Sequence, residues 1–173
     1  MREAIGGTWL FQIVIVFVLL FTGFMCLSIN RSKAFNVKNY ILETIQAYNG
    51  DIKGLNDDKK NEAMNDIVDY MQSNAYRTSG EKPDDIKVCD KYTAKYHCYN
   101  REGKEDNKNS PVFCLAKINV GTQGCLDSNF NELPDMYYYR IVVFYQLDLP
   151  IFHELFNFQI TGDTRVFSVT RQG

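Results

Sequence analysis

The side chains best suited to chemistry in this chain are its two histidines, five cysteines and several adjacent acids. His97 precedes Cys98, a pairing that invites an imidazole base beside a nucleophilic thiol. Such a pair needs converging side chains, and neighbours in an alternating strand point to opposite faces. His153 precedes Glu154, but no second histidine follows at the spacing of an H-E-x-x-H zinc helix. Asp57-Asp58 and Asp84-Asp85 set carboxylates side by side, a pattern that serves helix caps and solvated turns more often than metals. No G-x-S-x-G elbow and no phosphate-cradling glycine loop occurs. The sequence therefore gives no catalytic residue, no cofactor-binding residue, no cofactor and no metal ligand, and the expectation is a protein that is not an enzyme.

The cysteines carry a different message. Cys89, Cys98, Cys114 and Cys125 form an even set spaced C-x8-C-x15-C-x10-C, and Cys26 stands apart in an apolar run. No C-x2-C knuckle for zinc or redox exchange is present. Four cysteines in a polar domain of modest size suit two disulfides and an oxidising compartment, with free buried thiols as the alternative. Three pairings are open, and the spacing does not choose among them. The net charge of −2 gives no electrostatic footprint for nucleic acid.

The element that positions all of this is the run WLFQIVIVFVLLFTGFMCLSI, residues 9–29, which holds no charge and one strongly polar side chain, Gln12. At about 1.5 Å per residue it spans a hydrocarbon core of roughly 30 Å as a helix. Three roles compete for it: a cleaved secretory signal, a plain single-span anchor, or an anchor that is also an assembly helix. The run is longer than a usual signal core, which argues against the first. Beyond it, SKAFNVKNYILETIQAY has no proline or glycine, and Val37, Ile41, Leu42, Ile45 and Tyr48 fall at helical spacing. Lys38, Asn39, Glu43 and Gln46 fill the other side. The expectation is one continuous helix from about residue 8 to residue 48, stopped by Asn49-Gly50, against the alternative of a break near residues 30–32.

With its short start MREAIGG, its apolar span and its amphipathic helical extension, the chain resembles the type IV pilin-like superfamily, in particular TadE-like minor pilins or pseudopilins. The resemblance implies a long N-terminal helix packed on a C-terminal antiparallel β-sheet. It implies leader cleavage after Gly7, which would make Thr8 the first residue and Gln12 the fifth. Many pilins carry glutamate at that fifth position, and Gln12 departs from the pattern because it cannot neutralise a neighbour's terminal amine. It also implies assembly contacts from the membrane helix, with Trp9, Gln12, Gly23 and Cys26 as candidates. The partners implied are the membrane and other pilin-like subunits or platform proteins of a pilus or secretion apparatus, with no nucleic acid.

The flanking charges disagree with the cysteines about orientation. Arg31, Lys33 and Lys38 follow the span, whereas Arg2 is offset by Glu3 before it. Those charges favour a cytoplasmic C-terminal part, but long domains translocate largely regardless of flanking charge. The cysteine set is given more weight, so the expectation is a single-pass cell-membrane protein. Residues 1–30 form leader and transmembrane helix, and 31–173 form an extracytoplasmic α+β domain whose first part, 31–48, continues the helix.

Within that domain a second helix, with Asp57 or Asp58 as cap, is expected to about Asn74 on a stripe of Ala63, Met64, Ile67, Val68 and Met71. Then the period changes to two. Tyr92, Ala94, Tyr96 and Cys98 mark one strand face, and Val112, Cys114, Ala116, Ile118 and Val120 are expected as the inner face of a second strand. YYYRIVVFYQL, residues 137–147, is apolar on both faces, as a central strand with a helix on one side should be. Phe156, Phe158 and Ile160 alternate in a further strand, Gly162-Asp163 reads as a turn, and 166–170 as a short last strand. Helices first and strands after read as α+β. The functional expectation is a structural, membrane-anchored pilin-like subunit or assembly factor. The alternative is a single-pass, membrane-tethered extracytoplasmic ligand-binding module that uses the loops at 101–110 and 121–133.

Overall fold

The computed structural model describes residues 2–50, 57–74, 76, 80–89, 92–106, 111–120, 136–146 and 157–168. Helix α1 runs Arg2–Ala47 without interruption, 46 residues, so no break separates the apolar run from its amphipathic continuation. It starts earlier than the sequence suggests and takes in Gly6 and Gly7, whose low helix propensity does not stop it. Its end follows from local chemistry. The Gly50 N–H donates to the Ile45 carbonyl at 2.9 Å and the Asn49 N–H to the Gln46 carbonyl at 3.1 Å, the paired bonds of a Schellman stop. Asn49 takes the left-handed conformation this stop requires, at φ 52°. Gly50 leaves room for Phe167, whose ring a Cβ there would approach to 2.6 Å.

The far half of α1 is the spine of the core. Ala34, Val37, Ile41 and Ile45 are each at most 1% exposed, and Leu27, Tyr40 and Leu42 pack at the margin. Steps of three and four residues keep these side chains on one stripe. Burying each branched side chain contributes about 1.5–3 kcal/mol. Helix α2, Asp57–Ser73, returns along α1 and buries Ala63, Ile67, Val68 and Met71, as its stripe predicts. Tyr70 of α2 stacks on Tyr40 of α1 with ring centroids 3.9 Å apart.

Behind the helices lies an antiparallel sheet, so the molecule is α+β with a long N-terminal helix against a C-terminal sheet. Its strands β3 (Tyr96–Tyr99), β4 (Phe113–Asn119), β5 (Met136–Gln146) and β6 (Asn157–Asp163) neighbour one another in chain order. Strand β7, Phe167–Ser168, also pairs with β5. A separate hairpin joins β1 (Ile86–Cys89) to β2 (Tyr92–Ala94). The stretch 92–99, expected as one strand, thus changes sheets at Lys95. There the Asp85 carboxylate accepts the Tyr96 N–H at 3.1 Å and holds the handover.

Both sheet faces are buried, in two separate cores. The helix-side core takes Phe113, Leu115, Tyr139, Ile141, Val143 and Tyr145. The far core takes Tyr96, Cys98, Cys114, Ala116, Val142 and Phe144, with Ile86 of the hairpin against it. Cys114 and Ala116, expected on the inner face of β4, therefore point away from the helix, and Phe113 and Leu115 meet it. A strand buried on both faces shows no polar alternation from which to read its orientation. Strand β5 is the central strand its composition predicts, paired along both edges.

The Gly162-Asp163 turn does not form. Strand β6 runs through both residues, and Phe167 then pairs with Tyr137 along the same β5 edge. Partner numbers sum to 303 for Asp163↔Arg140 and 304 for Phe167↔Tyr137, so one extra residue has entered as a bulge. Thr164 spans the gap: its Oγ1 accepts the Tyr139 N–H at 2.9 Å, and its own N–H donates to the Tyr139 carbonyl at 2.9 Å. Gly162 instead admits α1, since a Cβ there would lie 2.8 Å from the Lys38 side chain and 3.2 Å from Leu42.

Candidate functional site

One feature dominates the surface. From Trp9 to Ile29, α1 shows its large apolar side chains on every side: Trp9 is 69% exposed, Leu20 69%, and Ile15, the least exposed of the span's large exposed side chains, still 43%. This is the one helix among the described residues long and apolar enough to cross a membrane. The span's hydroxyls are satisfied on their own helix. Thr22 Oγ1 donates to the Val18 carbonyl at 2.8 Å and Ser28 Oγ to the Phe24 carbonyl at 3.0 Å, the bonding an apolar solvent demands. Gln12 is exposed on this rod, and its amide makes no hydrogen bond to the described residues. Of the other assembly candidates, Trp9 is exposed, and Gly23 and the free thiol of Cys26 are half-buried. Gly7 falls within α1, and its surroundings lie outside the described residues.

The junction is built by Leu27, which joins the helix-side core, and by Asn30, whose Nδ2 donates to the Gln146 carbonyl at 2.8 Å. The end of β5 is thereby fixed to the helix where the span ends. Arg31 and Lys33 follow, both exposed, and the Lys38 ammonium lies 4.2 Å from the centre of the Phe35 ring. Across α1, the Tyr48 hydroxyl holds its proton above the ordinary tyrosine range, through burial first and then through the negative field of Glu62 and Asp66.

The cysteine expectation is met for one pair. Cys98 and Cys114 sit directly opposite in the β3–β4 register and are disulfide-bonded. The register chooses the pairing that spacing alone leaves open. The Cys89 side chain and Cys125 lie outside the described residues. The bond removes Cys98 as a nucleophile. His97 projects from the other face of the strand, where its Nδ1 meets the Glu105 carboxylate at 2.8 Å at a solvent-exposed position. His153 and Glu154 lie outside the described residues, as do 107–110 of the first loop proposed for ligand contact and the whole of the second, 121–133.

Other polar groupings serve the fold. Arg140 and Asp163 pair through two bonds of 2.8 Å across β5 and β6, and the carboxylate holds the guanidinium proton more tightly than usual. An apolar cavity of about 20 Å³ lies between α1, α2 and β4, lined by Thr44, Ile45, Tyr48, Ala63, Met64, Ile67 and Leu115. That volume is on the order of one water-sized probe, too small for an organic ligand. No group of three or more His, Cys, Asp or Glu able to hold a metal occurs among the described residues. The arrangement can therefore partition into a bilayer and present a rigid head on the same helix. No protein-family model, curated protein or solved structure matches this chain.

Proposed function

We propose that the protein is a membrane-anchored, pilin-like structural subunit or assembly factor of a pilus or secretion apparatus, of the TadE-like kind, with its head outside the cytoplasm. One observation carries the reading. A single unbroken helix is apolar and exposed over most of residues 8–29, and the same helix is the core of the head over residues 34–45. A tether has no need of that continuity, because a flexible joint would serve it as well. A subunit that must transmit position from membrane to head gains from a rigid rod. Gln12 supports the reading as well: an unpartnered amide in hydrocarbon favours a second helix that can bond it. The Cys98–Cys114 bond favours an oxidising, extracytoplasmic location for the head over the opposite indication from Arg31, Lys33 and Lys38.

The test replaces residues 8–29 with an unrelated apolar span of the same length in the full chain. Surface-exposed multimers captured by cross-linking should fall at least tenfold, with the head folded and oxidised. Multimers that survive the exchange would remove the assembly role from the span. A ligand-binding activity of the head that survives with multimers lost would favour the tethered binding module.

A further inference from the structure

The geometry points to a heterologous contact between copies of this chain, in which the basic flank of α1 on one copy docks on the acidic outer face of α2 on the next. This inference rests on the assembly reading above and names the surfaces that would carry it. Arg31, Phe35 and Lys38 lie within about 60° of one another around α1, on the flank beside β6, where Lys38 approaches Gly162. Phe35 is 48% exposed there, a large apolar side chain outside the span. Glu43, the next acid along α1, lies about 120° round from Arg31 and leaves this flank cationic.

On α2, Glu62, Asp66 and Asp69 are all exposed and follow one another at four and three residues. They form one stripe opposite the buried stripe of Ala63, Ile67 and Met71. From Glu62 to the end of α2 no Lys, Arg or His occurs. Neither stripe has an ion-pair partner among the described residues.

The two stripes match in length and direction. Arg31 to Lys38 is seven residues, as is Glu62 to Asp69, about 10.5 Å in each case. Within one molecule α2 runs antiparallel to α1, because Tyr70 stacks on Tyr40 while Ala63 and Met64 lie beside Thr44 and Tyr48. Two copies sharing a common axis direction thus bring Arg31 opposite Asp69 and Lys38 opposite Glu62, with Phe35 beside Asp66.

The match also fixes a stagger. Asp69 lies level with about residue 40 of its own α1, about nine residues beyond Arg31, so the docked copy is displaced by about 14 Å along the helix. Two copies at equal depth in one bilayer cannot make this contact without dragging an apolar span about half-way out of a hydrocarbon core of roughly 30 Å. The contact is therefore available to copies leaving the membrane in succession. Because the two surfaces differ, each docked copy offers a free surface to the next, and the contact propagates.

The test uses the full chain, as an equal mixture of isotope-labelled and unlabelled protein, treated with a zero-length carbodiimide. One sample is in detergent, where depth is unconstrained, and one in phosphatidylcholine vesicles. In detergent, mass spectrometry should find Lys38–Glu62 links between labelled and unlabelled copies within a ladder that extends past dimer. In vesicles the link should be at least tenfold weaker. Arg31→Glu with Lys38→Glu should cut the ladder at least tenfold, and adding Glu62→Lys with Asp69→Arg should restore it, which separates lost contact from lost folding. A ladder indifferent to the reversal, a product that stops at dimer, or equal linking in vesicles would overturn the contact. Bismaleimide linking through Cys26 in the same samples reports span-to-span association. If it persists while the charge-dependent ladder is absent, the assembly reading stands and this contact falls; if both are absent, both fall.

Discussion

Residues 8–29 and residues 34–45 belong to one helix and are both rich in apolar side chains, yet Trp9 is 69% exposed and Ile41 is 0% exposed. The difference lies in distribution around the axis. In the first segment apolar residues occupy every direction, which makes the helix long and apolar enough to cross a membrane. In the second they occupy one stripe, which α2 and the sheet cover, and polar residues face outward. One continuous helix therefore carries two different distributions of apolar side chains, and the boundary falls where Leu27 enters the core and Asn30 bonds β5.

The comparison breaks most sharply if a head-core side chain is truncated. Ile41→Ala removes a fully buried side chain at the contact of α1 with the sheet and should cost about 2–5 kcal/mol of head stability. Urea unfolding of the detergent-solubilised full chain, followed by tyrosine signals, should show a lower midpoint with unchanged slope. Leu20→Ala, the same kind of truncation at a 69% exposed position, should leave that midpoint in place. Equal losses at the two positions would erase the distinction between the segments.

How much of this was legible in the sequence varies with the kind of pattern. The stripe around Ile41 and helix α2 follow from periodicity, because each buries a face that its own residues define, whereas the span follows from unbroken apolar length and the central place of β5 from apolar residues on both of its faces. The turn expected at Gly162-Asp163 failed because glycine has more than one use. Here it admits the Lys38 and Leu42 side chains to a strand, and Thr164 absorbs the extra residue in a bulge. The facing of β4 was misread because Cys114 and Leu115 are both buried, each in its own core. The disulfide pairing was beyond spacing and became visible only once register set Cys98 opposite Cys114. The acidic and basic stripes were each readable. Their relation depends on α2 returning antiparallel to α1, which is a tertiary fact.

A charge in the span tests the other side of the comparison. Leu19→Lys places an ammonium near the middle of the apolar segment and should cost about 2.5–3.5 kcal/mol of membrane insertion. Alkaline extraction of membranes should release a larger share of the variant, with the unfolding midpoint of the head unchanged. A coupled fall in head stability would mean that the head relies on the span for more than position.

The two faces of the sheet allow a finer division. The Cys98–Cys114 bond closes a separation of 16 residues in the core that faces away from α1. Replacing both cysteines by alanine should cost about 3 kcal/mol. The loss should leave the helix-side contacts in place, so the Tyr40–Tyr70 stack, read by near-ultraviolet circular dichroism, persists at low denaturant. Loss of that signal together with the bond would show that the two cores fold as one unit.

The smallest expected effect lies where the rod ends. Asn49 holds a left-handed conformation at φ 52°, which costs a residue with a Cβ about 1–2 kcal/mol unless its side chain bonds locally. Its Oδ1 accepts from Arg165 at 3.3 Å, a long and exposed contact that contributes little. Backbone and side-chain roles therefore separate on substitution. Asn49→Ala loses the amide and retains a Cβ in a left-handed site, so it should destabilise the head by about 1 kcal/mol. Asn49→Gly loses the same amide but removes the steric cost, so the head should stay within about 0.5 kcal/mol of the native chain. If glycine proves as harmful as alanine, the contact with Arg165 holds the helix end, and the segment between β6 and β7 helps to stop α1 as much as the Schellman geometry does.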